Sequence, residues 1–225
     1  MKKLRLSKRL QAIVNQIQCR VLADIGTDHG ITPVVACEQG RAEFGIACDI
    51  SHASLKKAEN YIRERNLDHR IETRLGSGFE TISQGEADMA VISGMGGMLI
   101  RDIIRENLDV AKSMSRIILG PQRDLPTLRQ SLNEVGFAIE DEEMLIEDGV
   151  FYNILICEPG TPTAMTPEGR MFGQALIDKS DPTLGLFLIE LIEKNKRICS
   201  KAKNEKLEVE IYIAEHVIKQ KSYSR

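Results

Sequence analysis

Between residues 21 and 119 the chain repeats one pattern five times: a short apolar run that stops at a small or acidic residue. The runs are Val21 to Gly26, Phe44 to Asp49, Ile71 to Leu75, Ala87 to Ile92 and Arg116 to Leu119. Helical spacing follows most of them: a stretch from Pro33 to Gly40, one capped by Ser51 and running to Arg65, one from Met98 to Leu108, and one over 125–135 stopped by Gly136. Strands buried on both faces and separated by helices form a parallel sheet with helices on either side. The rhythm then changes. Phe137 to Ile146 and Val150 to Cys157 are β-prone runs separated by Glu147-Asp148-Gly149, a hairpin signal. The expected fold is therefore α/β and doubly wound, a mixed seven-stranded sheet closed by an antiparallel pair. Residues 6–19 precede it as a basic amphipathic helix with Leu6, Leu10, Ile13, Val14 and Ile17 on one face.

Pro159-Gly160-Thr161-Pro162 and Pro167 divide the chain into a sheet domain, 1–160, and a helical tail, 161–225. In the tail, Leu184, Phe187, Leu188, Leu191, Ile192 and Ile198 follow one helical spacing, and Leu207, Ile211, Ala214 and Ile218 follow a heptad-like seam. A hairpin turning over 200–205 is expected. With 42% hydrophobic and 28% charged residues, disordered and fibrous classes are excluded. No apolar run reaches the roughly 20 residues of a membrane span, and the start lacks the apolar core of a signal peptide, so a cytoplasmic protein without a membrane partner is expected. Cys19, Cys37, Cys48, Cys157 and Cys199 form neither a zinc ribbon nor a disulfide framework. The histidines, His29, His52, His69 and His216, have no metal-ligand spacing, and no metal is expected. The net charge of −3 hides a segregation. Residues 1–20 carry six basic groups and no acid, residues 21–160 carry 13 basic and 24 acidic groups, and residues 194–225 carry nine and four. Such ends are either solvated helix faces or a grip for a polyanion.

The chemistry-bearing residues sit where strands end. Asp24-Ile25-Gly26-Thr27-Asp28-His29-Gly30 closes the first strand. Gly26 permits dihedrals closed to other residues and a close approach of backbone to ligand, and Gly30 allows tight packing at the helix start. The Asp-x-Gly-x-x-x-Gly spacing differs from the dinucleotide fingerprint, and its acid suits a cationic ligand with an amino-acid portion, of which S-adenosylmethionine is one. A structural turn is the competing reading. Asp49, followed by Ile50, ends the second strand where nucleotide-binding sheets hold ribose hydroxyls; alternatively it is a helix N-terminal charge. Gly76-Ser77-Gly78-Phe79 would fold over an adenine. Ser93-Gly94-Met95-Gly96-Gly97 ends the fourth strand, and its glycines imply close approach of a flat acceptor unless they form a bare turn.

Together with Pro33, the Asp24 to Gly30 motif and Gly94-Met95-Gly96-Gly97 resemble the bacterial tRNA adenine-N1 methyltransferases that modify adenine 22 in the D-arm, the TrmK family. The resemblance extends through Arg116 to Gln122, Leu128-Arg129 and Phe151 to Leu155. It implies a class I, Rossmann-like methyltransferase fold, S-adenosylmethionine as donor, tRNA as acceptor and a C-terminal hairpin that holds RNA. Two departures stand out: Leu119-Gly120-Pro121-Gln122 replaces the family's Leu-Gln-Pro-Asn, and Ser51-His52-Ala53-Ser54 replaces a Gly-Pro pair.

On this reading Asp24, Gly26, Thr27, Gly30, Asp49, Ile50, Gly76, Ser77, Gly78, Ser93 and Gly94 bind the donor. Asp28 stabilises charge or accepts a proton, and His29 either orients it, receives the proton or is structural. Met95 packs on the acceptor base. Gly96, Gly97, Pro121 and Gln122 contact the base, and Lys8, Arg9 and Arg123 contact the RNA, with Arg129, Lys2, Lys3, Arg5 and the tail cations Lys194, Lys196, Arg197, Lys201, Lys203 and Lys206 adding to the phosphate surface. A monomer or weak dimer is expected. Rival readings are a methyltransferase for a small molecule or protein, and a non-catalytic donor-binding sensor.

Overall fold

The computed structural model describes residues 6–221 and 223. Lys2, Lys3 and Arg5 lie outside the described residues. In chain order the elements are α1 (Lys8–Asn15), β1 (Cys19–Ile25), α2 (Ile31–Glu38), β2 (Ala42–Asp49), α3 (His52–Glu64), β3 (Ile71–Leu75), β4 (Met89–Ser93), α4 (Gly97–Glu106), α5 (Leu108–Lys112), β5 (Arg116–Gly120), α6 (Leu125–Glu134), β6 (Phe137–Glu147) and β7 (Val150–Pro159). The tail adds α7 (Pro167–Phe172), α8 (Gln174–Asp178), α9 (Pro182–Cys199) and α10 (Glu205–Lys221). The seven strands lie in the order β3-β2-β1-β4-β5-β7-β6, with β7 antiparallel to both neighbours and the rest parallel. Among the described residues no helix is long and apolar enough to cross a membrane.

The apolar runs explain the layers. Ala23, Ile25, Ala90, Ile92, Ile117 and Leu119 face one way, into a core with α4 and α6. Leu22, Val91 and Ile118 face the other way, into a core with α1, α2 and α3. Ser51 caps α3, its hydroxyl accepting from the Ser54 N–H at 3.3 Å, as the sequence indicates. At the hairpin tip Asp148 and Gly149 both have positive φ, 50° and 74°, the conformation that a tight right-twisted hairpin requires. The first helix is shorter than the expected 6–19. Its chain is needed in the sheet by Cys19, whose N–H donates to the Arg41 carbonyl at 3.0 Å, and the Asp88 carboxylate takes the N–H groups of Arg20 and Val21 at 3.0 and 2.7 Å.

The tail is more than a hairpin. Two short helices, α7 and α8, precede it and pack against α6 and β6. Thr166 caps α7, accepting from the Gly169 N–H at 2.9 Å. On α10 the buried side chains are Ile213, Ala214 and Val217; of the expected line through Leu207, Ile211, Ala214 and Ile218, Ala214 is buried and Ile218 packs beside it, while Ile213 and Val217 take the places expected of Leu207 and Ile211. These pack with Leu184 and Leu188 of α9 and with Met144 and Phe151 of the β6–β7 hairpin.

Arg129 does not belong to an RNA surface. It is 1% exposed, and its guanidinium meets the equally buried Glu142 carboxylate of β6 at 2.7 and 3.1 Å. It also donates to the carbonyls of Arg170 and Met171 at 3.2 and 2.9 Å, tying α7 to the sheet domain. Gly173, at φ 92°, turns the chain beside Glu142, where a Cβ would come within 2.6 Å of the carboxylate. Removing one partner strands a buried charge, so Arg129→Ala or Glu142→Ala is expected to cost about 3–5 kcal/mol in urea unfolding. An apolar pair, Arg129→Met with Glu142→Leu, should recover most of that loss; equal loss in the single and paired variants would contradict the assignment.

Candidate functional site

The strand order reverses between β1 and β4, and the ends of these two strands border a crevice of the kind in which open α/β sheets bind ligands. A cleft of about 640 Å³ opens there, between Asp24 to His29, Ser93 to Met95, and the wall formed by Leu6 and Ser7 with Arg9, Leu10 and Ile13 of α1. A larger recess of about 810 Å³ between α1, α2 and β6 contains no strand-end residue and is bordered by the Glu38–Arg65 ion pair, so volume alone does not mark the site.

Asp24 is buried, and burial pushes its carboxyl up to about 6; the hydrogen bond from Thr27 opposes this and the nearby Asp49 charge adds to it. The Thr27 hydroxyl also accepts the Gly30 N–H at 3.1 Å, and the N–H groups of Gly26 and Thr27 donate to the Cys48 carbonyl at 2.8 and 2.9 Å. The turn is thereby fastened to β2. Gly30 has φ 67°, and a Cβ there would lie 3.1 Å from that of Ala58, which accounts for its role in seating α2 on α3. At Gly26 the missing Cβ leaves room for a neighbour from β4's loop: the Met95 methyl lies 1.9 Å from where a Cβ would stand. That space was expected to admit a ligand, and the structure gives it to Met95.

Asp49 accepts the Ser51 N–H on Oδ1 at 2.7 Å, and its backbone carbonyl accepts the Gly76 N–H at 3.1 Å. The other carboxylate oxygen has no protein partner among the described residues. Ile50 is 74% exposed beside it, and Leu75 is exposed at the end of β3. Ser77 donates its N–H to Glu80 at 3.3 Å, Gly76 leaves room for the Thr81 side chain, and Gly78 for Ile103. Phe79 is fully buried beneath this loop in the core, so it offers no ring to a ligand.

On the other side of the crevice Asp28 and His29 stand at the mouth, with Asp28 Oδ2 2.8 Å from His29 Nδ1 and Lys57 of α3 3.6 Å from Oδ1. The loops after β4 and β5 are laced together. Gly94 donates to the Gly120 carbonyl at 3.1 Å, Gln122 to Met95 at 2.9 Å and Gly97 to Arg123 at 2.9 Å. Gly97 and Pro121 are buried, and Gly97 is pressed against the carbonyls of Arg123 and Asp124, so neither presents a face to the cleft as expected of them. Gly96 lies under the exposed Arg123 side chain, and the Gln122 side chain is exposed. Arg9 lines the cleft with its guanidinium 4.9 Å above the Tyr152 ring, while Lys8 is tied by its backbone N–H to Glu147. Sequence reasoning missed Lys57 and the cleft-lining role of α1. The apolar α1 stripe signals burial but not which strand ends it covers.

Comparisons with known proteins agree with this geometry. Residues 6–155 match a family model described as a methyltransferase domain. The chain is 37% identical over 161 residues to the tRNA (adenine(22)-N(1))-methyltransferase of Bacillus subtilis, covering 71% of this chain and 68% of that one. Among solved structures, the Bacillus subtilis enzyme superposes with a TM-score of 0.86 at 29% identity over 96% of this chain and 100% of the other. A putative tRNA (m1A22) methyltransferase of Streptococcus pneumoniae, solved with S-adenosyl-L-methionine, gives 0.89 at 28% identity over 95% and 100%. The sheet order, the acidic turn after β1 and these likenesses have one common explanation: the chain belongs to the tRNA (adenine(22)-N(1))-methyltransferase family of class I methyltransferases.

Proposed function

We infer that the protein transfers the methyl group of S-adenosylmethionine to N1 of adenine 22 of a tRNA, the reaction named for its Bacillus subtilis relative. The observation that carries this reading is the placement of an acidic turn and a Gly-Met-Gly-Gly loop on two sides of one crevice in a chain of that family. The residues present fit the donor. Buried Asp24 would hold the cationic amine, and the oxygen of Asp49 left without a partner among the described residues would accept from the ribose hydroxyls. Exposed Ile50 and Leu75 would supply apolar surface for the adenine, beside the backbone of Gly76 to Gly78. When bound, S-adenosylmethionine supplies an electrophilic methyl on a sulfonium.

Adenine N1 lies on the Watson–Crick edge, so the base must leave its pairing before it enters the cleft. Its lone pair attacks without prior deprotonation, and the protein's main task is in-line positioning. The Gly94 to Gly96 backbone and Met95 hold the base. Methylation leaves the ring cationic, and the Asp28 carboxylate at the mouth balances that charge or takes a proton from the exocyclic amine, with His29 orienting it. We assign residues 1–160 to donor binding and catalysis and 161–225 to holding RNA, and we assign the protein to the cytoplasm, the compartment of a bacterial tRNA substrate.

Helices α1 and α9 flank the edge hairpin. Phe151 packs against Phe187 of α9 at 5.2 Å between ring centroids, while its neighbour Tyr152 lies under Arg9 of α1. Successive strand residues point to opposite faces, so α1 and α9 sit on opposite sides of β7. An RNA that contacts both would cross this edge. Two of the tail cations, Lys196 and Lys203, are paired with Glu215 and Glu205, and Lys194, Arg197, Lys201 and Lys206 are exposed.

Three outcomes follow for the intact enzyme on an unmodified tRNA transcript. Asp28→Ala should lower single-turnover methylation by about 10²–10⁴-fold while thermal unfolding is unchanged; near-normal turnover would remove Asp28 from the mechanism. Below pH about 6 Asp24 takes up a proton and loses its hold on an ammonium, so donor affinity measured by calorimetry should weaken by about tenfold per pH unit there and level off above it. Asp24→Asn should bind weakly with a flat profile, and a sloping profile in that variant would point to another group. Lys8→Glu with Arg9→Glu should weaken tRNA binding and make its salt dependence shallower, by up to about 2 in log–log slope, with donor affinity intact. Unaltered RNA binding would exclude α1 from the interface.

A further inference from the structure

Ser93 and Gly120 are register partners at the ends of β4 and β5, and on the other side Ser93 leaves the sheet beside Gly26, one step beyond the Ile25–Ile92 pair. A Cβ at Gly120 would lie 2.4 Å from the Ser93 hydroxyl oxygen and 3.4 Å from Ile13 Cδ1. The hydroxyl therefore occupies space that any side chain at 120 would take, wedged toward the α1 wall of the cleft. It lines that cleft together with Asp28 and Met95, and it has no hydrogen-bond partner among the described residues. The group thus sits in space that the bare Gly120 leaves open and is free in its hydrogen bonding with the described residues, where the loop after β4 meets the turn after β1.

We propose that the Ser93 hydroxyl accepts a hydrogen bond from the exocyclic amine of the acceptor adenine and so aims N1 at the methyl group, with Gly120 kept bare to give the hydroxyl its place. This rests on the adenine-N1 reading above and moves Ser93 from the donor side, where the sequence put it, to the acceptor side. The amine adjoins N1 on the same edge of the base, so one contact there fixes the angle of N1. A hydroxyl both donates and accepts, and can therefore meet the amine without a change of protonation. As the N1–methyl bond forms and the ring becomes cationic, the amine becomes a stronger donor, and the contact tightens in the transition state more than in the bound substrate.

The test is a double-mutant cycle in the full-length enzyme, with donor affinity, tRNA KM and kcat measured for each variant and thermal melting used to confirm folding. Ser93→Ala should lower kcat on tRNA about tenfold, move KM less, and leave donor affinity unchanged. Gly120→Ala should produce a similar loss by displacing the hydroxyl. In the double variant the 2.4 Å clash with the hydroxyl gives way to a 3.0 Å approach of the two Cβ atoms, which a shift of a few tenths of an ångström relieves, and the loss should be no greater than about twofold beyond that of Ser93→Ala alone. Wild-type kcat in Ser93→Ala, a matching loss of donor affinity, or multiplication of the two single losses would overturn the proposal. Absence of methyl transfer to tRNA by the unaltered enzyme would overturn the adenine reading, and this inference with it.

Discussion

Three backbone hydrogen bonds, from Gly94, Gln122 and Gly97 to the carbonyls of Gly120, Met95 and Arg123, continue the β4–β5 ladder past the ends of the strands. They turn two loops into one rigid ledge. The ledge exists only because side chains are missing where backbones meet: Gly97 rests on the carbonyls of Arg123 and Asp124, where a Cβ would stand at 2.8 and 2.9 Å, and Gly94 turns at φ 83°. Loops held this way lose little freedom when a base arrives, which is how a protein that must mainly position its reactants reduces the cost of binding them. The same ledge sets the place of Met95 over Gly26 and of Ser93 beside Gly120, so the turn after β1 and the loop after β4 are adjusted to each other through contacts no wider than a methyl group.

Much of this was readable in the residues. The strands are short apolar runs buried on both faces, so their ends, and with them Asp24, Asp49 and the two glycine turns, fall within a few residues of where the pattern put them. Ser51 and Asp148-Gly149 work through local chemistry and are correspondingly legible. What could not be read depends on long-range contact. Arg129 has the composition of a surface residue, and only the fold brings Glu142 and the α7 carbonyls to it. Helices α7 and α8 have six and five residues, too short for a periodic signal. Which atom uses the space beside each glycine, Met95 at Gly26, Thr81 at Gly76 or Ser93 at Gly120, is likewise a property of the packed molecule.

The net charge of −3 is a poor guide to the partner because the charges are sorted along the chain. The fold places α1 and α9 on the two faces of the β6–β7 hairpin through consecutive residues, Tyr152 and Phe151. The buried Arg129–Glu142 pair then fixes the root of the tail to the sheet. For the tail to hold RNA as proposed, its cations must stand at a set distance from the cleft, and a tail held in this way would meet that requirement.

The most direct measurement is the position of the methyl group itself. The intact enzyme, given S-adenosylmethionine and an unmodified tRNA transcript, should place one methyl on N1 of adenine 22. The product should stop primer extension at that nucleotide, and a transcript with guanine there should stay unmethylated. Methyl transfer to the guanine transcript at an equal rate, or a stop at another nucleotide, would contradict the assignment of this crevice to that adenine.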